Sequence, residues 1–149
     1  MLFSKFQQEI LEVMSKGKGN NSGEAKALMP KVSGTFQKYA QLLKQSKIPF
    51  EELVFTKRIS KNSKEYQKRN TVESDSIHLL DVEGKSLKAG EILEYVITDY
   101  YETQSKNRRA IPIELINENT TSYDVRRYVE LLAETCNSVI EPFGFTVVV

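Results

Sequence analysis

Tryptophan is absent from the 149 residues, and cysteine and histidine occur once each. The lone cysteine, Cys136, rules out an internal disulfide. It falls at an inward-facing position of a predicted helix, as a buried thiol in a reduced, intracellular setting would. No uncharged stretch approaches the ~20 residues of a membrane span, and Lys5 stands where a secretory signal would carry its apolar run. The sequence therefore predicts a soluble, cytoplasmic protein with no membrane association. His78, followed by Leu79 and Leu80, has no GxSxG elbow or HExxH pair around it, so the familiar nucleophile–base and zinc-protease arrangements are missing. Gly17, Gly19 and Gly23 follow no strand and lack a lysine–serine/threonine ending, so they form no phosphate-cradling loop. Asp75 and Asp81 are isolated carboxylates. A self-contained enzyme, a metal site and a bound cofactor are all unexpected on these grounds.

What is present describes an ordinary globular module. Hydrophobic residues make up 40% and charged residues 28%, and seven Tyr and seven Phe supply large core side chains. The length suits one compact domain, or two small lobes sharing a core. The net charge of +1 conceals a division after Arg69. Residues 1–69 hold 14 Lys or Arg against 6 Asp or Glu, which is +8, and residues 70–149 hold 7 against 14, which is −7. Such asymmetry marks a basic face for a polyanion, with an acidic remainder toward solvent or a basic partner.

Periodicity supplies the elements. Leu2, Phe3, Phe6, Ile10 and Val13 predict an amphipathic helix ending before Gly17, followed by a loop over 15–23. Val32, Phe36, Tyr39 and Leu43 predict a second helix from about Pro30 to Gln45, with Lys31, Lys38, Lys44 and Lys47 mostly on its other side. A short helix is expected over Ser76 to Val82. Ile92 to Tyr101 is rich in β-branched and aromatic residues and reads as the longest strand. Arg109 to Ile113 is a second extended piece whose proline points to an edge or irregular position. The last helix opens near Ser122 to Asp124, carries Val125, Tyr128, Leu132, Cys136 and Val139 on one stripe, and stops at Pro142 and Gly144. Phe145 to Val149 is read as either a short strand or the point where a longer chain is cut. The class is α+β, a helical module with a few short antiparallel strands and the longest strand packed beneath the last helix.

The most basic stretch runs from Thr56 to Arg69. Lys57, Arg58, Lys61, Lys64, Lys68 and Arg69 face one acid, Glu65, with Thr56, Ser60, Ser63 and Tyr66 between the charges. Cations that supply a field, interleaved with short hydroxyl donors that fix register, are what a phosphate-tracking surface uses. A solvated face is the alternative reading.

Several motifs follow one another along the chain. Pro49-Phe50-Glu51-Glu52-Leu53-Val54-Phe55-Thr56-Lys57-Arg58-Ile59-Ser60 comes first, with Tyr66 a few residues on. His78, then Gly84, Gly90 and the Ile92 to Ile97 strand come next. Arg109-Ala110-Ile111-Pro112 precedes Asp124, Tyr128 and Phe143-Gly144. From about Tyr39 to Phe145 this order and spacing resemble the thumb and C-terminal region of family B DNA polymerases, archaeal members above all. In that resemblance His78 opens a helix. Ser76-Ile77 stands where the family usually has a proline, and Arg127-Tyr128 where it often has a tyrosine pair.

The resemblance implies a single thumb-like domain over 1–149, with a basic helical part (1–69) and an acidic α+β part (70–149). It implies a grip on double-stranded primer–template DNA through Thr56, Lys57, Arg58, Ser60, Lys61, Lys64, Tyr66, Lys68, Arg69, His78 and Arg109. It also implies a catalytic polymerase subunit or domain as partner, because the palm's metal-binding aspartates, the nucleotide-binding helix and the exonuclease carboxylates have no counterparts here. A stand-alone or degenerate accessory protein, acting as a protein–protein interaction module through its acidic half, is the competing expectation.

Overall fold

The computed structural model describes residues 1–16, 22–66, 69–101, 108–119 and 121–149. The chain is α+β and forms two compact units, residues 1–48 with 125–149 and residues 49–124. The charge division at residue 69 falls inside the second unit.

The first unit is helical: α1 (Leu2–Ser15), α2 (Ser22–Lys44) and α5 (Val125–Ile140), each packed on the other two. The apolar stripes predicted from spacing supply its core. Leu2, Phe6 and Ile10 of α1 are buried, as are Val32, Phe36, Tyr39 and Leu43 of α2, and Tyr128, Leu132 and Cys136 of α5, whereas the predicted Phe3, Val13, Val125 and Val139 are only partly buried and Met14 and Ile140 take the inward places beside them. Phe6 meets Tyr39 edge-on with ring centres 5.2 Å apart, and Phe3 stacks on Tyr128 at 6.1 Å. The second helix begins eight residues before the predicted start and carries Pro30 in its interior. Pro30 is exposed, and the stripe of Ala25 and Val32 runs past it, so packing overrides the local break. Of the loop expected over 15–23, residues 17–21 lie outside the described residues and Ser22 and Gly23 belong to α2.

After α5, a turn over Glu141–Phe143 ends at Gly144, whose φ of 88° a side chain would strain. No strand forms over Phe145–Val149. Instead the Asn137 amide brackets Val147, accepting from its N–H at 2.7 Å and donating to its carbonyl at 3.1 Å.

The second unit is built on a three-stranded antiparallel sheet in the order β1 (Phe55–Arg58), β2 (Ile92–Ile97), β3 (Ala110–Pro112). β2 is the central and longest strand, with Leu93, Tyr95 and Ile97 buried, and β3 is an edge, as its proline predicted. Between β1 and β2 lie α3 (Ser63–Tyr66) and α4 (Val72–Val82). The helix packed on the sheet is α4, whereas the packing partners of α5 are α1 and α2. The expected seat of the strand beneath the last helix is thus corrected. Helix α4 starts at Val72, four residues earlier than the predicted Ser76. Its start is fixed by a capping box, in which Thr71 Oγ1 accepts from the Ser74 N–H and Ser74 Oγ accepts from the Thr71 N–H. His78 accordingly sits within the helix and does not open it. No described helix is long and apolar enough to cross a membrane.

Candidate nucleic-acid interface

All the sequence-predicted contact residues belong to the second unit, and Lys68 lies outside the described residues. Strand alternation sorts the first three. Phe55 pairs with Tyr95 and Lys57 with Leu93, which puts them on the face of the sheet toward α4, where the Tyr95 hydroxyl donates to Glu73 at 3.1 Å. Thr56 and Arg58 point the other way and are exposed. Arg58 is anchored by an Nη1 bond of 2.7 Å to the Gly90 carbonyl, in a turn whose φ of 93° requires glycine.

Tyr66 organises the turn that follows. Its ring is fully buried, and its hydroxyl accepts from the Ser60 N–H at 3.1 Å and lies 3.4 Å from Ser60 Oγ. The Arg69 guanidinium covers the ring at 4.6 Å from its centre. These bonds from Ser60, with smaller contributions from the charges of Lys57 and Arg69, hold the Tyr66 pKa below the usual tyrosine value. Tyr66 therefore enters the site as a post that sets Ser60 and Arg69 around one point, and its ring is buried.

Lys61 and Lys64 are exposed on the outer side of this turn. Lys61 lies 3.8 Å from Glu65 with both side chains about half exposed, a pairing too weak to hold the lysine back from another partner. The remaining two candidates are elsewhere. His78 is half-buried on α4. Arg109 grips Asp75 of α4, with Nε 2.7 Å from Oδ2 and Nη2 3.1 Å from Oδ1, and Nη2 also donates to Asn70 Oδ1 and the Thr71 carbonyl. The bond to Asp75 raises the Arg109 pKa further. Arg109 ties the edge strand to the start of α4, beside Arg69 in the chain.

Sequence reasoning did not bring Lys88 into the surface around Lys64. Lys88 belongs to the acidic half, yet the loop before β2 is laced to the basic segment. Ser63 N–H donates to the Leu87 carbonyl, Ala89 N–H to Asn62 Oδ1, and Ile59 N–H to the Glu91 carbonyl. Lys88 and Lys64 both line a cleft of about 420 Å³ that Asp81 also lines. Nothing in the residue pattern signals this pairing, which is a product of the β1–β2 register. Among the described residues, no three His, Cys, Asp or Glu side chains are grouped to hold a metal. The chemistry available to the surface is charge and hydrogen-bond donation.

The sequence profile of DNA polymerase family B matches residues 1–143. A comparison with curated protein sequences finds no match. Among solved structures, the family B DNA polymerase from the hyperthermophilic archaeon Pyrobaculum calidifontis is similar, with a TM-score of 0.75 and 22% sequence identity over 98% of this chain. This chain spans 18% of the length of that polymerase chain. The structural likeness concerns the fold, and the profile match extends over nearly all of the sequence: the chain belongs to DNA polymerase family B.

Proposed function

We propose that the chain is the thumb region of a family B DNA polymerase of archaeal type. In this reading it holds double-stranded primer–template DNA by its sugar–phosphate backbone during replication or repair, in the cytoplasm. The observation that carries the reading is the cluster around Tyr66, which presents Ser60, Lys61, Lys64 and Arg69 from one short stretch of the second unit. Lys57, Arg58, Lys61, Lys64, Lys68 and Arg69 supply the field, and Thr56 and Ser60 supply hydroxyl donors that set register on phosphates. Tyr66 and Arg109 position these groups. His78 is a further donor on α4. The whole of 1–149 acts as one module, basic in 1–69 and acidic in 70–149. Nucleotidyl transfer belongs to a palm- and fingers-bearing partner, either a separate chain or another part of the same polymerase.

Backbone contacts carry no base information, so affinity should be nearly independent of sequence and weak, in the ~10⁻⁴ to 10⁻⁶ M range of nonspecific complexes. Fluorescence anisotropy with two labelled duplexes of unrelated sequence tests this. Equal affinities in that range, both reduced by the double substitution Lys61→Ala and Lys64→Ala, support the reading. No measurable binding at low salt, or a strong preference for one duplex, contradicts it.

A further inference from the structure

Two stretches of the second unit that lie far apart in sequence meet at a small apolar cavity, and both are acidic. Pro49 to Thr56 and Ala110 to Asp124 hold Glu51, Glu52, Glu114, Glu118 and Asp124 but no Lys or Arg. The cavity, of about 170 Å³, is lined by Phe50, Glu51, Val54, Ile113, Ile116 and Glu118. Two single turns build it. In the first, over Phe50–Glu52, the Leu53 N–H donates to the Phe50 carbonyl at 2.9 Å, and the Tyr123 ring meets Phe50 edge-on with ring centres 6.3 Å apart. In the second, over Ile113–Leu115, the Ile116 N–H donates to the Ile113 carbonyl at 3.3 Å, and both isoleucines reach the cavity. Val54 is buried, whereas Phe50, Ile113 and Ile116 are half-buried.

Size and charge define what fits. An apolar cavity of ~150 Å³ takes one benzene-sized group, so this one takes a single aliphatic or aromatic side chain. Glu51 and Glu118 at the cavity are exposed, as is Glu114 on the second turn, and none of the three forms an ion pair among the described residues. One apolar pocket with a polar rim is the arrangement on which a protein contact is anchored. Carboxylates at the rim repel phosphates and attract cations, which excludes a nucleic-acid backbone as the occupant and favours a basic polypeptide.

We infer that this cavity docks a basic peptide segment of a partner protein. One apolar side chain of the segment seats among Phe50, Val54, Ile113 and Ile116, and Lys or Arg on either side of it pair with Glu51 and Glu118. The cavity shares no residue with the Tyr66 cluster, and the inference does not depend on the duplex-binding reading, so either can fail alone.

The test titrates the full chain with a fluorescein-labelled peptide, Lys-Arg-Leu-Lys-Arg, and with two controls, Lys-Arg-Gly-Lys-Arg and Glu-Asp-Leu-Glu-Asp. Anisotropy reports affinity, and the backbone amide resonances of the isotope-labelled chain report location. The first peptide is expected to bind and to shift the resonances of Phe50, Val54, Ile113 and Ile116. Loss of the leucine should weaken binding about tenfold, the effect of burying one such side chain. The double substitution Glu51→Gln with Glu118→Gln, at exposed positions and checked for folding by circular dichroism, should weaken it about threefold or more. Equal affinity for the leucine and glycine peptides, unchanged affinity in the double variant, or no binding of the first peptide at low salt overturns the inference. So does a DNA duplex that shifts the same four resonances, which would assign the cavity to nucleic acid.

Discussion

Arg109→Ala should destabilise the protein more than removal of its partner, Asp75. The Asp75 side chain is 4% exposed and that of Arg109 19%, so the carboxylate depends on the guanidinium far more than the reverse. Without the side chain, Asp75 keeps only the Arg109 N–H at 3.1 Å and loses the bonds at 2.7 and 3.1 Å from Nε and Nη2. A buried ion deprived of its partner costs ~3 to 5 kcal/mol. The lower figure fits here, since one backbone bond survives. At ~2 to 4 °C per kcal/mol for a chain of this size, the melting temperature should fall by about 6 to 12 °C. Asp75→Ala leaves a guanidinium that reaches water and keeps Asn70 Oδ1 and the Thr71 carbonyl, so its loss should be nearer 1 to 2 kcal/mol. Arg109→Lys keeps the charge but not the fork and should fall between the two. Urea titration and thermal melts followed by circular dichroism measure all three. An Arg109→Ala variant within about 1 kcal/mol of the parent, or an Asp75→Ala variant less stable than it, would refute the account of this pair.

The Ser76 hydroxyl is fully buried and has no hydrogen-bond partner among the described residues, so Ser76→Ala should leave stability unchanged or raise it by about 1 kcal/mol, and a clear loss in a urea melt would show a hidden partner. Burial first, then the hydrogen bond and charge of Glu9, push the Tyr39 hydroxyl from 10.0 up to about 12. A folded pKa above the unfolded one means stability that is complete below pH 10 and declines by about 2 kcal/mol as pH rises toward 12. Urea midpoints between pH 9 and 11 should fall less steeply for Tyr39→Phe than for the parent, and parallel curves would dismiss the assignment. If nucleotidyl transfer belongs to a palm-bearing partner, as proposed, the purified chain incubated with primer–template, nucleotides and Mg²⁺ should leave the primer unextended. Extension that persists through repurification would overturn the division of labour with a palm.

Residue spacing made the helical core legible. The stripes of α1, α2 and α5 needed only a period of 3.6, and their buried positions are those of Phe6, Phe36 and Leu132. Boundaries were less so. Pro30 looked like a first turn because local rules end a helix there, and only the packing of Ala25 shows that the helix continues. The start of α4 had a readable signal in Thr71 and Ser74, but serine at the fourth position is a weaker mark than the usual glutamate. The partner of the sheet was not legible, since both α4 and α5 offer apolar faces and their assignment depends on long-range packing. In the candidate site, composition pointed to the run from Thr56 to Arg69. It gave no sign that Tyr66 is buried beneath Ser60, that Arg109 is held by Asp75, or that Lys88 and Lys64 line one cleft.

The central claim is that cations of the basic segment neutralise duplex phosphates, and the salt dependence of binding measures this most directly. Each phosphate contacted contributes ~0.9 to the slope of log affinity against log salt. Lys61 and Lys64 are exposed, and neither is held by a strong internal pair. Replacing both by alanine should therefore lower affinity about equally for unrelated duplexes and make the slope shallower by up to roughly two units. A double variant with the parent's slope and affinity would mean that this segment is a solvated face and that the grip lies elsewhere.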